Sequence, residues 1–278
     1  MGIQLFSPAK LNLFFRLLGK RSDGYHEVES LYQAINLFDL LSLDLAKEDA
    51  FTSSNALLEK DPHNSIIKAL LLFRKKTALN FSVHIHLEKR IPIQAGLGGG
   101  SSNAATTLWG LNELCGRILA TEELAFLAAE ISSDAPFFFS QGSAYCTGRG
   151  EKVHNIHLPQ TFSAWLAVPS FGTSTAQVYR AVDMSQLLQK KLENLSKNFC
   201  KDFSFHYNDL EIAAFSIEPR LREMKQRLLN MGFDEVVMTG SGSCFFCLGT
   251  RTPISEKDLV FRFVKNCQRE ENKWYLAT

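Results

Sequence analysis

Apolar and polar positions alternate over 3–18 and again over 28–45, and this period of two predicts strands, with Asp23-Gly24 as the turn between them. Asp61-Pro62-His63-Asn64 opens an amphipathic pattern that predicts a helix to about Leu79. Residues 81–88 alternate as a strand. A glycine-rich loop follows, then helical spacing from Ser102 to about Cys115 and a helix from Thr121 to about Ser132. Short strands are predicted near 143–147, 151–157 and 162–168. Beyond Pro169 the pattern is mostly helical, with Glu218-Pro219 punctuating two helices. A β-loop-β over 234–248, a helix near 254–266 and a C-terminal strand complete the chain. This mixed order predicts an α+β fold, not a doubly wound sheet. Proline and glycine punctuation near 155–170 suggests a division into 1–158 and 159–278.

The 278 residues carry a formal charge of +1, with 45% hydrophobic and 21% charged residues, which fits a folded, enzyme-sized protein. The 22 phenylalanines need a core, which argues against disorder. A balanced charge excludes a strong global field for nucleic acid or membranes. No apolar run approaches the roughly 20 residues of a membrane span. No targeting segment is legible before Pro8 and Lys10, so the cytoplasm is the expected location. Six cysteines stand at 115, 146, 200, 244, 247 and 267. Cys244-Phe-Phe-Cys247 has no partner pair for zinc and reads as small buried residues in a strand. His84 and His86 alternate with apolar neighbours, which points them to solvent.

The most informative segment runs Ile91-Pro92-Ile93-Gln94-Ala95-Gly96-Leu97-Gly98-Gly99-Gly100-Ser101-Ser102-Asn103. Four glycines in five positions remove Cβ atoms where a backbone must bend or approach something closely. The helical pattern that follows supplies free N–H groups and a positive dipole end, an anion site suited to phosphate. No lysine follows as in a Walker A loop, and Ser101 stands where a dinucleotide fingerprint needs its last glycine.

Four further places admit two readings each. If Leu11, Leu13 and Phe15 face the core, Lys10 and Asn12 share the opposite face, either solvent or a cleft. Lys20 to Glu27 is an exposed polar hairpin or a recognition loop, with Tyr25 stacking on a base and His26 giving a hydrogen bond. Asp134, ahead of Pro136, is a helix N-cap or a carboxylate in a cleft, able to orient and deprotonate a hydroxyl. Thr239-Gly240-Ser241-Gly242-Ser243 is a plain turn or a second loop of donors.

Together these segments resemble the GHMP kinase superfamily. Pro8-Ala9-Lys10 is similar to its first motif, Pro92 to Ala105 to its phosphate loop, and Thr239-Gly240-Ser241-Gly242 to its third motif, in the expected order. Gly19 to Glu27, Gly98 to Ala105 and Asn208-Asp209-Leu210-Glu211 resemble the members that act on a cytidine-diphosphate-linked methylerythritol; another small-molecule kinase of the superfamily, with a mevalonate-like or homoserine-like acceptor, is the alternative. Gln94-Ala95, where further glycine is common, and Arg149, where small or apolar residues are usual, depart from the pattern.

The resemblance implies a ribosomal-protein-S5-like N-terminal domain and a ferredoxin-like C-terminal domain with the active site between them. It implies ATP as co-substrate, with Mg²⁺ bound alongside, and transfer of the γ-phosphoryl group to the 2-hydroxyl of the acceptor. Lys10 and Asp134 are then catalytic. Pro92, Ile93, Gln94, Ala95, Gly96, Leu97, Gly98, Gly99, Gly100, Ser101 and Ser102 bind ATP. Asn12, Tyr25, His26, Thr175, Tyr179, Gly240 and Ser241 bind the acceptor, with Tyr25 and Tyr179 flanking the cytosine. No metal ligand is singled out. The partners expected are small molecules, with the protein a monomer or weak homodimer.

Overall fold

The computed structural model describes residues 2–158, 161–187 and 206–276. Cys200, and that part of the expected helical region between 188 and 205, lie outside the described residues.

Two long strands, β1 (Gly2–Lys20) and β2 (His26–Ala46), form one antiparallel hairpin from Gly2↔Asp44 to Lys20↔His26. Its register shifts at Pro8/Ala9, Asn12/Phe14 and Leu17/Gly19. A proline cannot donate to the ladder, and a bulge beside one redirects the side chains that follow; here that side chain is Lys10. β3 (Ala50–Ser53), β4 (Ser82–Glu88), β5 (Ser143–Gly148) and β6 (Lys152–Asn155) extend the sheet. The order is β3-β4-β2-β1, with β5 and then β6 hung from the far half of β2.

Against this sheet lie α1 (Ala56–Glu59), α2 (Ser65–Thr77), α3 (Gly99–Leu114), α4 (Thr121–Ile131) and a 3₁₀ turn, Ala135–Phe139. Asn64 caps α2 through the Ile66 amide, and burial of Ile66, Ala69, Leu70 and Phe73 follows from their helical spacing. The central helix is α3, buried continuously from Ser102 to Asn112.

A second sheet, in the order β11-β7-β10-β9, contains β7 (Ser163–Pro169), β9 (Glu235–Met238), β10 (Phe245–Leu248) and β11 (Leu259–Lys265). Helices α5 (Thr175–Arg180), α6 (Leu210–Ile217) and α7 (Arg220–Asn230) pack beside it, the last two divided at Glu218-Pro219. Between them runs β8 (Tyr207–Asn208), which pairs with β1 of the first sheet. The segregated layers match the α+β expectation.

Two expectations fail. Residues 254–266 are not a helix: β11 occupies Leu259–Lys265, with Leu259 and Phe261 inward and Val260 and Arg262 outward. That alternation, rich in aromatic and β-branched residues, suits a strand, and the segment pairs along its length with β7. Nor do residues 267–276 form a strand. They cross back to the helical layer, where Trp274 stacks on Trp109 at 5.1 Å and donates from Nε1 to the Phe6 carbonyl. His84 and His86 are exposed and share the Thr52 hydroxyl. Cys244 and Cys247 are buried, and burial pushes both thiols up to about 12.

Candidate active site

Residues 7–15 of β1 are buried on both faces, because the helices cover one and the second sheet the other. Leu11 and Leu13 enter the core between the sheets, and Lys10 and Asn12 point the opposite way, as the alternation requires. That face is not solvent: Lys10 is 3% exposed and Asn12 is fully buried. A buried ammonium needs partners. Lys10 Nζ finds Asn12 Oδ1 at 2.5 Å, Asp134 Oδ2 at 3.2 Å and the face of the Tyr32 ring at 4.7 Å.

Asp134 precedes the 3₁₀ turn, yet its side chain caps nothing. Its Oδ1 accepts from the Tyr32 hydroxyl at 2.9 Å and its Oδ2 faces Lys10. Burial and this carboxylate push the Tyr32 phenol well up, so Tyr32 stays a donor. The cleft reading of Asp134 is therefore the one the geometry supports.

The glycine loop lies across Lys10. A Cβ at Gly98 would stand 2.9 Å from Lys10 Cγ, so lysine and loop can approach this closely only because position 98 is bare. The Lys10 amide donates to the Leu97 carbonyl. Gly98 is also the N-cap of α3 and offers no side-chain acceptor. The amides of Gly99, Gly100 and Ser101 find no acceptor among the described residues, while the Ser102 amide bonds back to the Gly98 carbonyl. Three free N–H groups at the positive end of a sixteen-residue helix make an anion cradle.

The loop Thr239 to Ser243 buttresses this cradle. Gly96 has φ +73, and a Cβ there would lie 1.9 Å from the Thr239 carbonyl oxygen. Thr239 Oγ1 accepts from the Asn12 amide at 3.1 Å and donates to the Gly96 carbonyl at 3.3 Å. Asn208 on β8 ties the same loop through the carbonyls of Met238 and Gly240.

A cavity of about 1020 Å³ runs over all of this. Its lining includes Pro92 to Gly96 and Gly98 to Ser101, Lys10 and Asp134, and Tyr25, His26, Thr175, Tyr179, Gly240 and Ser241. Thr175 and Ser241 share a hydroxyl hydrogen bond at 2.8 Å, and the His26 ring lies 5.7 Å from that of Tyr179. Burial and Lys20 lower the His26 pKa.

Three residues expected at the ligands lie behind the wall. Asn12 spends its oxygen on Lys10 and its Nδ2 on Ser30, so it supports the lysine instead of facing the cavity. The Ser102 side chain is fully buried, its oxygen accepting from Ser7. The Leu97 side chain is in the core.

Several lining residues were missed in the sequence. Lys89 faces the loop from the end of β4 and pairs with Asp39 at 2.7 Å, 8% and 0% exposed respectively. Burial lowers the Lys89 pKa despite that partner. Asp39 also accepts from the amides of Arg90 and Ile91, fixing the approach to the glycine loop. Its only sequence signal is one carboxylate within the apolar run Leu37–Leu41. Asn64 and Ser65 also line the cavity.

Family models described as GHMP kinases N terminal domain and GHMP kinases C terminal match residues 64–142 and 184–261. A 4-diphosphocytidyl-2-C-methyl-D-erythritol kinase of Protochlamydia amoebophila (strain UWE25) is 48% identical over 276 residues, spanning 98% of this chain and 93% of that protein. A chloroplastic protein of the same name from Arabidopsis thaliana is 42% identical, over 98% of this chain and 76% of its own. The crystal structure of a 4-(cytidine 5'-diphospho)-2C-methyl-D-erythritol kinase, 32% identical, aligns with a TM-score of 0.74 over 89% of this chain and 90% of that one. A homoserine kinase from Cytophaga hutchinsonii, 17% identical with a TM-score of 0.73, shares the fold.

Proposed function

The chain belongs to the 4-diphosphocytidyl-2-C-methyl-D-erythritol kinases of the GHMP superfamily, and from that premise we propose that Lys10 and Asp134 carry the chemistry and the glycine loop holds ATP. The reaction moves the γ-phosphoryl group of ATP to the 2-hydroxyl of the cytidine-diphosphate-linked methylerythritol, giving the 2-phosphate and ADP on the methylerythritol phosphate route to isoprenoid precursors. The placement that carries the proposal is the 3.2 Å contact of Lys10 with Asp134 beside the bare N-terminus of α3.

Phosphoryl transfer needs position and charge stabilisation more than covalent chemistry. The free amides of Gly99, Gly100 and Ser101 take the phosphate oxygens, with Pro92 to Gly98 shaping the wall and Ser102 fixing the helix from below. Asp134 orients the acceptor hydroxyl and takes its proton as the phosphoryl group arrives. Lys10, held by Asn12, places its ammonium where negative charge develops on the transferring group. Tyr25 and Tyr179 flank the cytosine, His26 meets its polar edge, and Thr175, Gly240 and Ser241 close the acceptor side.

Among the described residues no three His, Cys, Asp or Glu side chains form a metal cage. The Ser101 hydroxyl and the Asp134 carboxylate are hard oxygen donors lining the cavity, and Mg²⁺ usually takes one or two such protein oxygens beside phosphates, so these residues fit it. When bound with ATP it supplies neutralisation of phosphate charge.

We further place the domain boundary at 158/159, just before the second sheet begins. No described helix is long and apolar enough to cross a membrane. A monomer or weak homodimer in the cytoplasm completes the proposal.

A positioned general base contributes roughly 10²–10⁴ in rate. Asp134→Asn is expected to lower kcat by about that factor in a coupled ADP-release assay while ATP binding stays near wild type. Lys10→Ala is expected to be similarly damaging. A loss under about threefold in Asp134→Asn would leave Asp134 only a structural partner of Tyr32.

A further inference from the structure

Arg149 lies on the wall of the cavity, in the turn that follows β5. Its place is set by its neighbours. A Cβ on Gly150 would come within 2.9 Å of the Tyr32 hydroxyl and 3.6 Å of Asp134 Oδ1, so the turn carrying Arg149 is pressed against the catalytic carboxylate. In the other direction the guanidinium lies over the Tyr25 ring, 4.7 Å from its centroid. Arg149 thus spans the gap between the proposed stacking ring and the phosphoryl acceptor.

The donors of this guanidinium are unspent. Its Nε stands 4.0 Å from Glu151 Oε2, an ion pair without a hydrogen bond, and no described residue accepts a hydrogen bond from it. The Glu151 carboxylate is instead engaged by the Arg149 backbone amide at 2.5 Å. With no hydrogen bond spent on the protein, the N–H groups of this guanidinium are available, and a guanidinium fork matches phosphate oxygens in bidentate fashion. In the acceptor, the group between the cytosine and the reacting alcohol is a diphosphate.

We infer that Arg149 is a specificity-determining contact of this kinase, its guanidinium holding the acceptor's diphosphate from its place over the Tyr25 ring. The inference rests on the proposed stacking of the cytosine on Tyr25.

The test is equilibrium titration with CDP and with cytidine, the ATP site being filled by a non-hydrolysable analogue. Loss of a charge-assisted contact typically costs 1.5–3 kcal/mol, so Arg149→Met should weaken CDP by roughly 10- to 100-fold and leave cytidine within about twofold. Arg149→Lys should recover part of the loss. In turnover, Arg149→Met should raise the acceptor KM by a similar factor and leave the ATP KM unchanged. Equal weakening of CDP and cytidine would overturn the inference, because Arg149 would then only brace Tyr25. Unchanged CDP binding, or a matching rise in the ATP KM, would overturn it too. Tyr25→Ala separates the two levels. If it spares cytidine, the stacking proposal itself falls; if it weakens cytidine while Arg149→Met spares CDP, only the Arg149 assignment falls.

Discussion

A single imidazole shows how burial at this site converts into pH dependence. His26 sits at the start of β2, partly covered and close to Lys20. Both influences disfavour its charged form, so its pKa lies below the ordinary value near 6.5. The neutral ring has one donor and one acceptor nitrogen. Cytosine presents an amino donor beside ring acceptors, so neutral His26 can satisfy both, whereas the imidazolium has no acceptor left for the amino group. The sign follows: full binding above about pH 6.5, and loss as pH falls through the lowered value. The acceptor KM is expected to hold steady from pH 8 to about 6.5 and to rise below that. In His26→Gln, which does not titrate, this acid limb should vanish. A limb that persists in the variant would assign the titration to another group.

Elements matter here through what they carry to their ends. Strand β4 delivers Lys89, and β2 delivers Asp39, to the start of the glycine loop. Removing the carboxylate would leave a buried ammonium unpaired and free two loop amides, and breaking such a pair usually costs about 3–5 kcal/mol. Asp39→Ala is expected to lose stability of about that size in urea unfolding. Asp39→Ala/Lys89→Met should lose less than the single variant, since it also removes the stranded charge. The double variant losing more would show that the ion pair is incidental. The same elements mark how far the sequence can be read. Alternation in β1 correctly sets Lys10 and Asn12 opposite Leu11 and Leu13, because strand periodicity is local. It leaves open whether that face is wet, because the cover comes from a loop almost ninety positions on and from a carboxylate further still. Asp39 is hidden for the same reason: its partners are fifty residues away. The segment 254–266 misleads differently. Its strand alternation covers only Leu259 to Val264, too short a run to stand out from the helical expectation until β11 pairs with β7. The glycine loop is legible because bare backbone is itself the signal.

At the scale of the molecule, the cleft is built between two sheets that share their packing. Ala9, Leu11 and Leu13 of β1 lie in one apolar cluster with Leu166 of β7, Val237 of β9, Phe246 of β10 and Val264 of β11. Backbone bonds cross as well: Cys244 donates to the Ala95 carbonyl, and Cys267 to that of Ala34. The C-terminal stretch then carries Trp274 and Tyr275 back into the helical core of the first sheet. Neither sheet can open without exposing apolar surface that the other covers, so the two should melt together despite a length that would permit separate domains. Tryptophan supplies the probes. Trp109 and Trp274 report on the helical layer and Trp165 on the second sheet. Variants retaining only Trp165 or only Trp109 are expected to give urea midpoints that coincide with each other and with far-UV circular dichroism. Two separated midpoints would mean that the shared cluster is too weak to couple the halves. The active site, which takes Lys10 and Asp134 from one and Ser241 from the other, would then be able to come apart while both halves remained folded.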